Sequence, residues 1–561
     1  MAGKDVDLDR VRQVLGELIA PESGFIKAVI VYGIAISLLT LAVPIAVQTL
    51  VNTVANIAST RAVFILAGLL LLMLVISGAL NALRTYVMEI YERRIYARLT
   101  SEISLRAILA PHNVFEGRQN STIMQRYFEI MTLQKNVPAL LVDGFALLLQ
   151  LLVGFTLVSF YHPMLFAFNL VIVLCICLIW RIWGDHAKLT AIKLSSAKYE
   201  SAKWLSDLTA AHEFFKSSLH MDYAGRTTEA LVSNYVTAHR QHFKHTFAQN
   251  IAFLALYALA SAALLGLGGW LVVRGELSLG QLVAAELIMS AVFFGLSQFS
   301  SYLKMYYELF GAADKISHLL ELPQEVFHED QGLQPADGSL QCKDLALSHQ
   351  GASASFSFTI AAGAKVWITT DKDWIQRRLS KLLKLQESVL GGWIRLGGQA
   401  LEEYDVYELR QVVAVIDRSL IVECSIKDYF RLASPNTSLV EMITALALVD
   451  LEHVVMALPQ GLDTRLSSLG APLLPLDLLL LKLAVAIVAK PKIVVLNQDF
   501  DHLLVDQHNK VLNAIGCQPF SILYFTQDPK PEFFDATLQL MSDGTGNGSS
   551  GLEVSRNHAH E

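Results

Sequence analysis

Three sets of side chains have types and spacings that could do chemistry. His239, His242 and His245 recur at i, i+3 and i+6 beside Arg240 and Lys244. Imidazoles are metal ligands, but a triplet set among cations reads as a solvated helix face rather than a metal centre. Cys175 and Cys177 stand inside an apolar run, where a thiol serves as a small buried hydrophobe. Five Cys in 561 residues give neither a disulfide framework nor a metal-ligand spacing. The third set centres on Glu286, a carboxylate within an apolar stretch, which costs on the order of a few kcal/mol unless paired or hydrated. At about 100° per residue, Glu286, Ser290, Ser297, Ser301 and Lys304 fall within about 60° of one another. Such a stripe faces a cavity or a partner, not lipid. It is open to three readings: a structurally paired carboxyl, a substrate or ion contact, or a contact with another protein.

The elements that must position these groups are membrane helices. Hydrophobic residues make up 53% of the chain and charged residues 17%, against about 25% charged in soluble domains. That deficit excludes a disordered or nucleic-acid-binding chain. The net charge of −7 attracts no polyanion.

Uncharged runs cover Ala28–Val51, Ala62–Leu83, Gly144–Trp180 and Thr246–Val273, and Leu277–Leu303 has Glu286 as its one charge. Gly144–Trp180 is too long for one span and splits at Tyr161-His162-Pro163. A span needs about 20 apolar residues, so six transmembrane helices are expected, with no cleavable signal peptide ahead of them. Residues 1–24 are charged and amphipathic and read as a surface helix. Eight Lys and Arg lie in 84–143 and nine in 181–245, against Arg61 and Arg274 in the short connections. The positive-inside rule assigns both long segments and both termini to the cytoplasm of a multi-pass protein. Residues 84–135 and 181–245 read as long helical extensions, each bent near its middle, at Pro111-His112-Asn113 and around Leu219–Gly225.

The transmembrane domain is assigned to 25–322 and a polar linker to 323–337. Residues 338–541 read as an α/β domain, with β-rich runs AKVWIT, VVAVID, KIVVLN and SILYFT between helical stretches. The Gly/Ser-rich tail, 542–561, is expected to be disordered.

Six spans with long extensions, followed by an α/β domain, resemble one half of a type I ATP-binding cassette (ABC) exporter. VVRGELSLGQLVA (272–284) resembles the family's hairpin between spans five and six. SDLTAAHEFFKSSLHMDYAGRTTEALVSNY (206–235) resembles its second intracellular loop. FTIAAGAKVWI (358–368), GLDTRLSS (461–468) and KPKIVVL (490–496) resemble the segments around its nucleotide site. The resemblance implies a helical membrane domain plus a cassette-like α/β domain, working as a homodimer or heterodimer. It also implies that the tips Pro111–Gln119 and Ala210–Ser218 touch cassettes.

In that register every nucleotide position is replaced. A phosphate loop needs glycines whose N–H groups wrap phosphate, a Lys for the outer phosphates and a hydroxyl for Mg²⁺. TTDKDWIQRR (369–378) has no glycine, Gln376 in place of the Lys and Arg377 in place of the hydroxyl. Asp371 and Asp373 would repel phosphate, and Trp374 would fill its space. Asn497 and Gln498 stand for the Walker B Asp and Glu, and amides neither hold Mg²⁺ by charge nor act as bases. His349 matches the adenine-stacking aromatic, Arg418 the Q-loop Gln, Gln527 the switch His and Leu504 the D-loop Asp. The signature is matched by Leu473–Asp477, with Pro475 and Leu476 in place of glycines. The helix after it, LLLLKLAVAIVAK, is apolar nearly all round: it is either buried in its own domain or turns one face to another subunit.

The family builds each ATP site from one chain's Walker motifs and the other chain's signature. This chain keeps neither, so no pairing of two completes a site. The expectation is a cassette that folds without nucleotide, binds no cofactor and is no ATPase. Two readings follow. One is a structural or regulatory subunit of a larger membrane complex. The other is an inert half of a peptide, protein or lipid exporter whose partner supplies the ATPase. Lipid bilayer and further membrane subunits are the expected partners, and nucleic acid is not.

Overall fold

The computed structural model describes residues 8–22, 24, 27, 31–35, 39, 46–47, 49, 60–115, 123–325, 334–349, 352–528, 530–542 and 548–554. The chain divides into a helical unit, Met1–Ala110 with Val114–Gln324, and an α/β unit, Glu325–Glu561, with which Pro111–Asn113 group.

The helical unit contains α1 (Leu8–Ile19), α2 (Thr60–Ile108), α3 (Glu129–Ala139), α4 (Phe145–Ser159), α5 (Pro163–Ala210), α6 (Ser218–Val273) and α7 (Leu279–Leu320). A π-helical turn, Leu140–Gly144, joins α3 to α4. Five helices among the described residues are long and apolar enough to cross a membrane. The expected first span, Ala28–Val51, lies largely outside the described residues, so the count of six is not established.

Several local readings hold for physical reasons. His162 caps α5, its Nδ1 accepting from the Met164 N–H at 3.2 Å, and Pro163 opens the helix. Pro suits the first helical position because that N–H has no intrahelical partner. α5 and α6 are 48 and 56 residues long, about 70–85 Å at 1.5 Å per residue, far beyond a bilayer. The first extension bends after Ile108, as expected. The second bends at Ala211–Ser217, not around Leu219–Gly225, which lies inside α6. Ser217 sets that start, its Oγ accepting from the His220 N–H at 3.4 Å.

Three further expectations are corrected. α1 does not leave its apolar face free: Val11, Val14, Leu15 and Leu18 are buried with Tyr91, Ile95 and Leu99 of α2 and Ile316 of α7. Arg98 donates to the Leu18 carbonyl at 2.6 Å, tying down its C-terminal end. Cys175 is half-buried and Cys177 exposed on the apolar surface of α5. His242 is buried rather than solvated, its Nδ1 3.1 Å from Thr190 Oγ1.

The α/β unit contains β1 (Leu340–His349), β2 (Ala352–Ile360), β3 (Lys365–Thr370), α8 (Asp373–Leu383), β4 (Trp393–Leu396), β5 (Gln399–Ala400), α9 (Val406–Val412), β6 (Val413–Ile416), α10 (Ile426–Ala433), α11 (Leu439–Leu448), α12 (Glu452–Ala457), α13 (Pro475–Ala489), β7 (Ile493–Leu496), α14 (Val505–Gly516), β8 (Ser521–Phe525), β9 (Ala536–Ser542) and β10 (Gly548–Val554). The four β-rich runs are β3, β6, β7 and β8. With β9, which pairs parallel to β3, they form the parallel part of a sheet ordered β10-β9-β3-β8-β7-β6. Every residue of β7 and β8 is buried, as a parallel sheet covered on both faces requires. An antiparallel sheet, β2-β1-β4-β5, accompanies it. The tail expected to be disordered contains β10, which pairs antiparallel with β9 from Gly548–Ser542 to Val554–Ala536.

α13 is the apolar helix left open between two readings. All ten residues from Leu478 to Ile487 are buried within this unit, so its apolar faces are consumed by its own core.

Candidate functional site

Of the residues that match nucleotide-contacting positions, Gln376, Arg377, Arg418, Asn497, Gln498 and Gln527 follow the ends of the parallel strands β3, β6, β7 and β8, where open α/β sheets bind ligands. β3 ends at Thr370 and α8 begins at Asp373, so only Asp371 and Lys372 connect them. Thr370 closes this short turn on itself. Its Oγ1 accepts from the Lys372 N–H at 3.2 Å and donates to the Lys372 carbonyl at 3.1 Å. No long loop is left to wrap a phosphate with consecutive N–H groups. Gln376 and Arg377 sit in the first turns of α8, Gln376 half-buried and Arg377 exposed. Arg378 forms an ion pair with Glu387, and Lys381 reaches the same carboxylate at 3.2 Å. These bonds hold Glu387 below the usual carboxylate range, against its own desolvation.

His349, at the end of β1, stacks with Trp374 of α8 at 6.2 Å between ring centroids and 26° between planes. The ring partner at the adenine-matching position is thus an indole of the same chain.

The other positions also find internal partners. Arg418 Nη2 lies 2.7 Å from Asp499 Oδ1. Asn497 Nδ2 donates to the other oxygen of Asp499, while Asn497 Oδ1 is buried without a hydrogen-bond partner among the described residues. Gln498 opens the short helical turn Gln498–His502. Gln527 donates from Nε2 to the Thr370 carbonyl at 3.1 Å and from its N–H to Asp501 Oδ2 at 3.1 Å. The sequence reading passed over Asp499 and Asp501, which organise this edge. Both follow within four residues of the Walker B match, a spacing that could have flagged them. Asp501 also accepts from Tyr524 and from Thr526, the latter at 2.8 Å. Tyr524 in turn meets His508 Nε2 at 2.9 Å. Burial, and then the nearby Lys530, hold the His508 imidazole below its ordinary value.

At the signature position Leu473 is buried, Leu474 is exposed, and Pro475 and Leu476 begin α13. The Asp477 carboxylate accepts from the Leu474 N–H at 3.4 Å. Gly470, at φ +91°, is required here, because a Cβ would stand 2.5 Å from Leu478 Cδ2. Lys482, buried on α13, donates to the carbonyls of Asp417 at 2.8 Å and Ser419 at 2.6 Å. Its amine thereby fixes the segment carrying Arg418. Burial lowers its affinity for the proton, and Asp417 opposes that.

In the helical unit Glu286 is half-buried on α7. Ser290 Oγ donates to its Oε1 at 3.4 Å, and its Oε2 is buried without a hydrogen-bond partner among the described residues. Ser297 bonds instead to the Phe294 carbonyl at 2.7 Å. Ser290 and Ser301 are exposed, so the stripe lies open on this single chain.

Residues 26–297 match the ABC transporter transmembrane region. The chain is 21% identical over 506 residues to the alpha-hemolysin translocation ATP-binding protein HlyB of Escherichia coli, covering 87% of this chain and 70% of that protein. It is 21% identical over 485 residues to the exotoxin translocation ATP-binding protein PaxB of Pasteurella aerogenes, covering 84% and 67%. Its fold matches the structure of a bacterial Atm1-family ABC exporter with ATP bound, at a TM-score of 0.82, 15% identity and 95% coverage of both chains. Residues 26–297 are thus similar to the ABC transporter transmembrane region, and the chain as a whole has the fold of an ABC exporter half.

Proposed function

We propose that this ABC exporter-like membrane protein neither binds nor hydrolyses ATP and acts as a structural or regulatory subunit of a membrane complex. One observation carries the reading: the two-residue turn between β3 and α8, closed by Thr370, leaves no cradle for phosphate. The His349–Trp374 stack and the Arg418–Asp499 pair support it, because the chain's own side chains satisfy groups that a ligand would otherwise engage. Loss of the signature glycines extends the reading to any partner's site, since Pro475 and Leu476 prevent close backbone approach to a phosphate. The dimeric state and the cytoplasmic position of both termini belong to the same proposal, on the Lys and Arg distribution and the exporter-half fold.

A second reading is favoured by the relatives, which are named as toxin-translocation ATP-binding proteins. In it the chain is the inert half of an exporter whose partner supplies ATP turnover. Purification in mild detergent from the native membrane separates the two. A complex without an ATPase of intact Walker and signature motifs is expected under the first reading. Stable recovery of such an ATPase supports the second. ATP turnover by the isolated chain, abolished by substitution at Asn497 or Gln498, would contradict both.

A further inference from the structure

The two halves of α2 are held in different ways. From Tyr91 onward the helix is packed: Tyr91, Ile95, Leu99 and Ile103 are buried in one cluster with Ile130 and Leu133 of α3. From Val63 to Ile90 no described residue of α2 is buried. Hydrogen bonds in that half stay within the helix: Asn81 Nδ2 donates to the Ser77 carbonyl and Thr85 Oγ1 to the Asn81 carbonyl, each at 3.0 Å. Among the described residues one polar side-chain bond leaves it for another element, the ion pair of Arg84 with Asp143. The two side chains are 21% and 26% exposed, so water and salt screen the pair less than a surface pair. Arg84 directly follows the uncharged run Ala62–Leu83, and Asp143 directly precedes Gly144–Trp180. The pair therefore ties two span ends together at one rim of the apolar region.

Asp143 stands in the joint between α3 and α4. Pro138, inside α3, has no N–H to give to the Gln134 carbonyl, and the π-helical turn Leu140–Gly144 follows it. Helices bend at such places. The joint also separates two hydrophobic clusters. Ile130, Leu133 and Val137 of α3 pack with the far half of α2, whereas Leu147, Leu151 and Phe155 of α4 pack with Ile288 and Val292 of α7.

We propose that the Arg84–Asp143 ion pair is a latch that sets the position of the membrane half of α2. Closed, it holds Val63–Leu83 to the α3–α4 joint. Open, that stretch pivots on the packed part of the helix that starts at Tyr91, because no buried side chain and no other polar bond among the described residues restrains it. The helical unit thereby has two arrangements whose exchange needs no nucleotide. The full-length protein in lipid nanodiscs is spin-labelled through unnatural residues in place of Leu74 on α2 and Leu152 on α4, both exposed, so that the five cysteines stay as they are. Protein labelled at Leu74 alone identifies distances between copies. The wild type should show one dominant distance within the chain. Asp143→Asn should raise the population of a second distance about five-fold, and the reversed pair, Arg84→Asp with Asp143→Arg, should return it to the wild-type level. A wild-type distribution in Asp143→Asn would overturn the latch. So would a folded reversed pair that keeps the second distance, since opposite charge would then not be what holds α2. If Asp143→Asn does not fold, Arg84→Gln opens the pair from the other side and should give the same five-fold rise; an unchanged distribution there counts against the proposal.

Discussion

Asp499 and Asp501 show how single residues complete a strand edge with internal partners. Asp499 takes Arg418 and Asn497; Asp501 takes Tyr524, Thr526 and the Gln527 backbone. The Asp501–Tyr524 bond continues to His508, whose folded value lies below its ordinary one through burial. Unfolding therefore favours proton uptake by this imidazole. The stability it contributes is full above about pH 6.5 and is lost as the pH falls below that. The unfolding midpoint of the wild type should thus drop more steeply than that of His508→Gln between about pH 7.5 and pH 5.5. Parallel pH profiles would refute the assignment. In the helical unit, Glu286 has one oxygen buried without a hydrogen-bond partner among the described residues. Glu286→Gln should keep the folded yield but recover several-fold less of any co-purifying partner. Glu286→Leu should stay within about 1 kcal/mol of wild-type stability, because an apolar residue relieves the burial cost. Wild-type recovery in both variants would reduce the stripe to a packing face.

At the scale of elements, α13 and the β3–α8 turn decide the character of the cassette. α13 is apolar on every face because it is buried on every face, and its one cation, Lys482, is spent on the carbonyls of Asp417 and Ser419. Lys482→Met should leave those acceptors unsatisfied and destabilise the unit by about 2 kcal/mol, read as a lower unfolding midpoint; an unchanged midpoint would show that water replaces the amine at no cost. The strands were legible in the sequence because a parallel sheet buried on both faces demands continuous apolar runs, as in KIVVLN and SILYFT. The bend of the second extension was not. Gly225 suggested a break, yet the Ser217 cap and the open space around Gly225 allow α6 to run through it. The β10 strand was equally hidden, since a Gly/Ser-rich segment carries no apolar alternation and pairs through its backbone. The partners of the replaced site were legible only in part. Asp499 and Asp501 stand close to Asn497 in sequence, but their partners Arg418, Tyr524, Thr526 and Gln527 are brought to them by sheet geometry.

At the scale of the molecule, the proposed function is an exporter-half fold kept without the chemistry that drives such folds. Strand order and core depend on apolar runs, so the α/β unit is expected to fold without nucleotide contacts. Equilibrium binding of Mg²⁺-ATP to the purified full-length chain tests this most directly. The account predicts no saturable binding below about 1 mM, in the wild type and equally in Gln376→Lys, because one restored amine cannot rebuild the missing loop. Saturable binding in the micromolar range would contradict it.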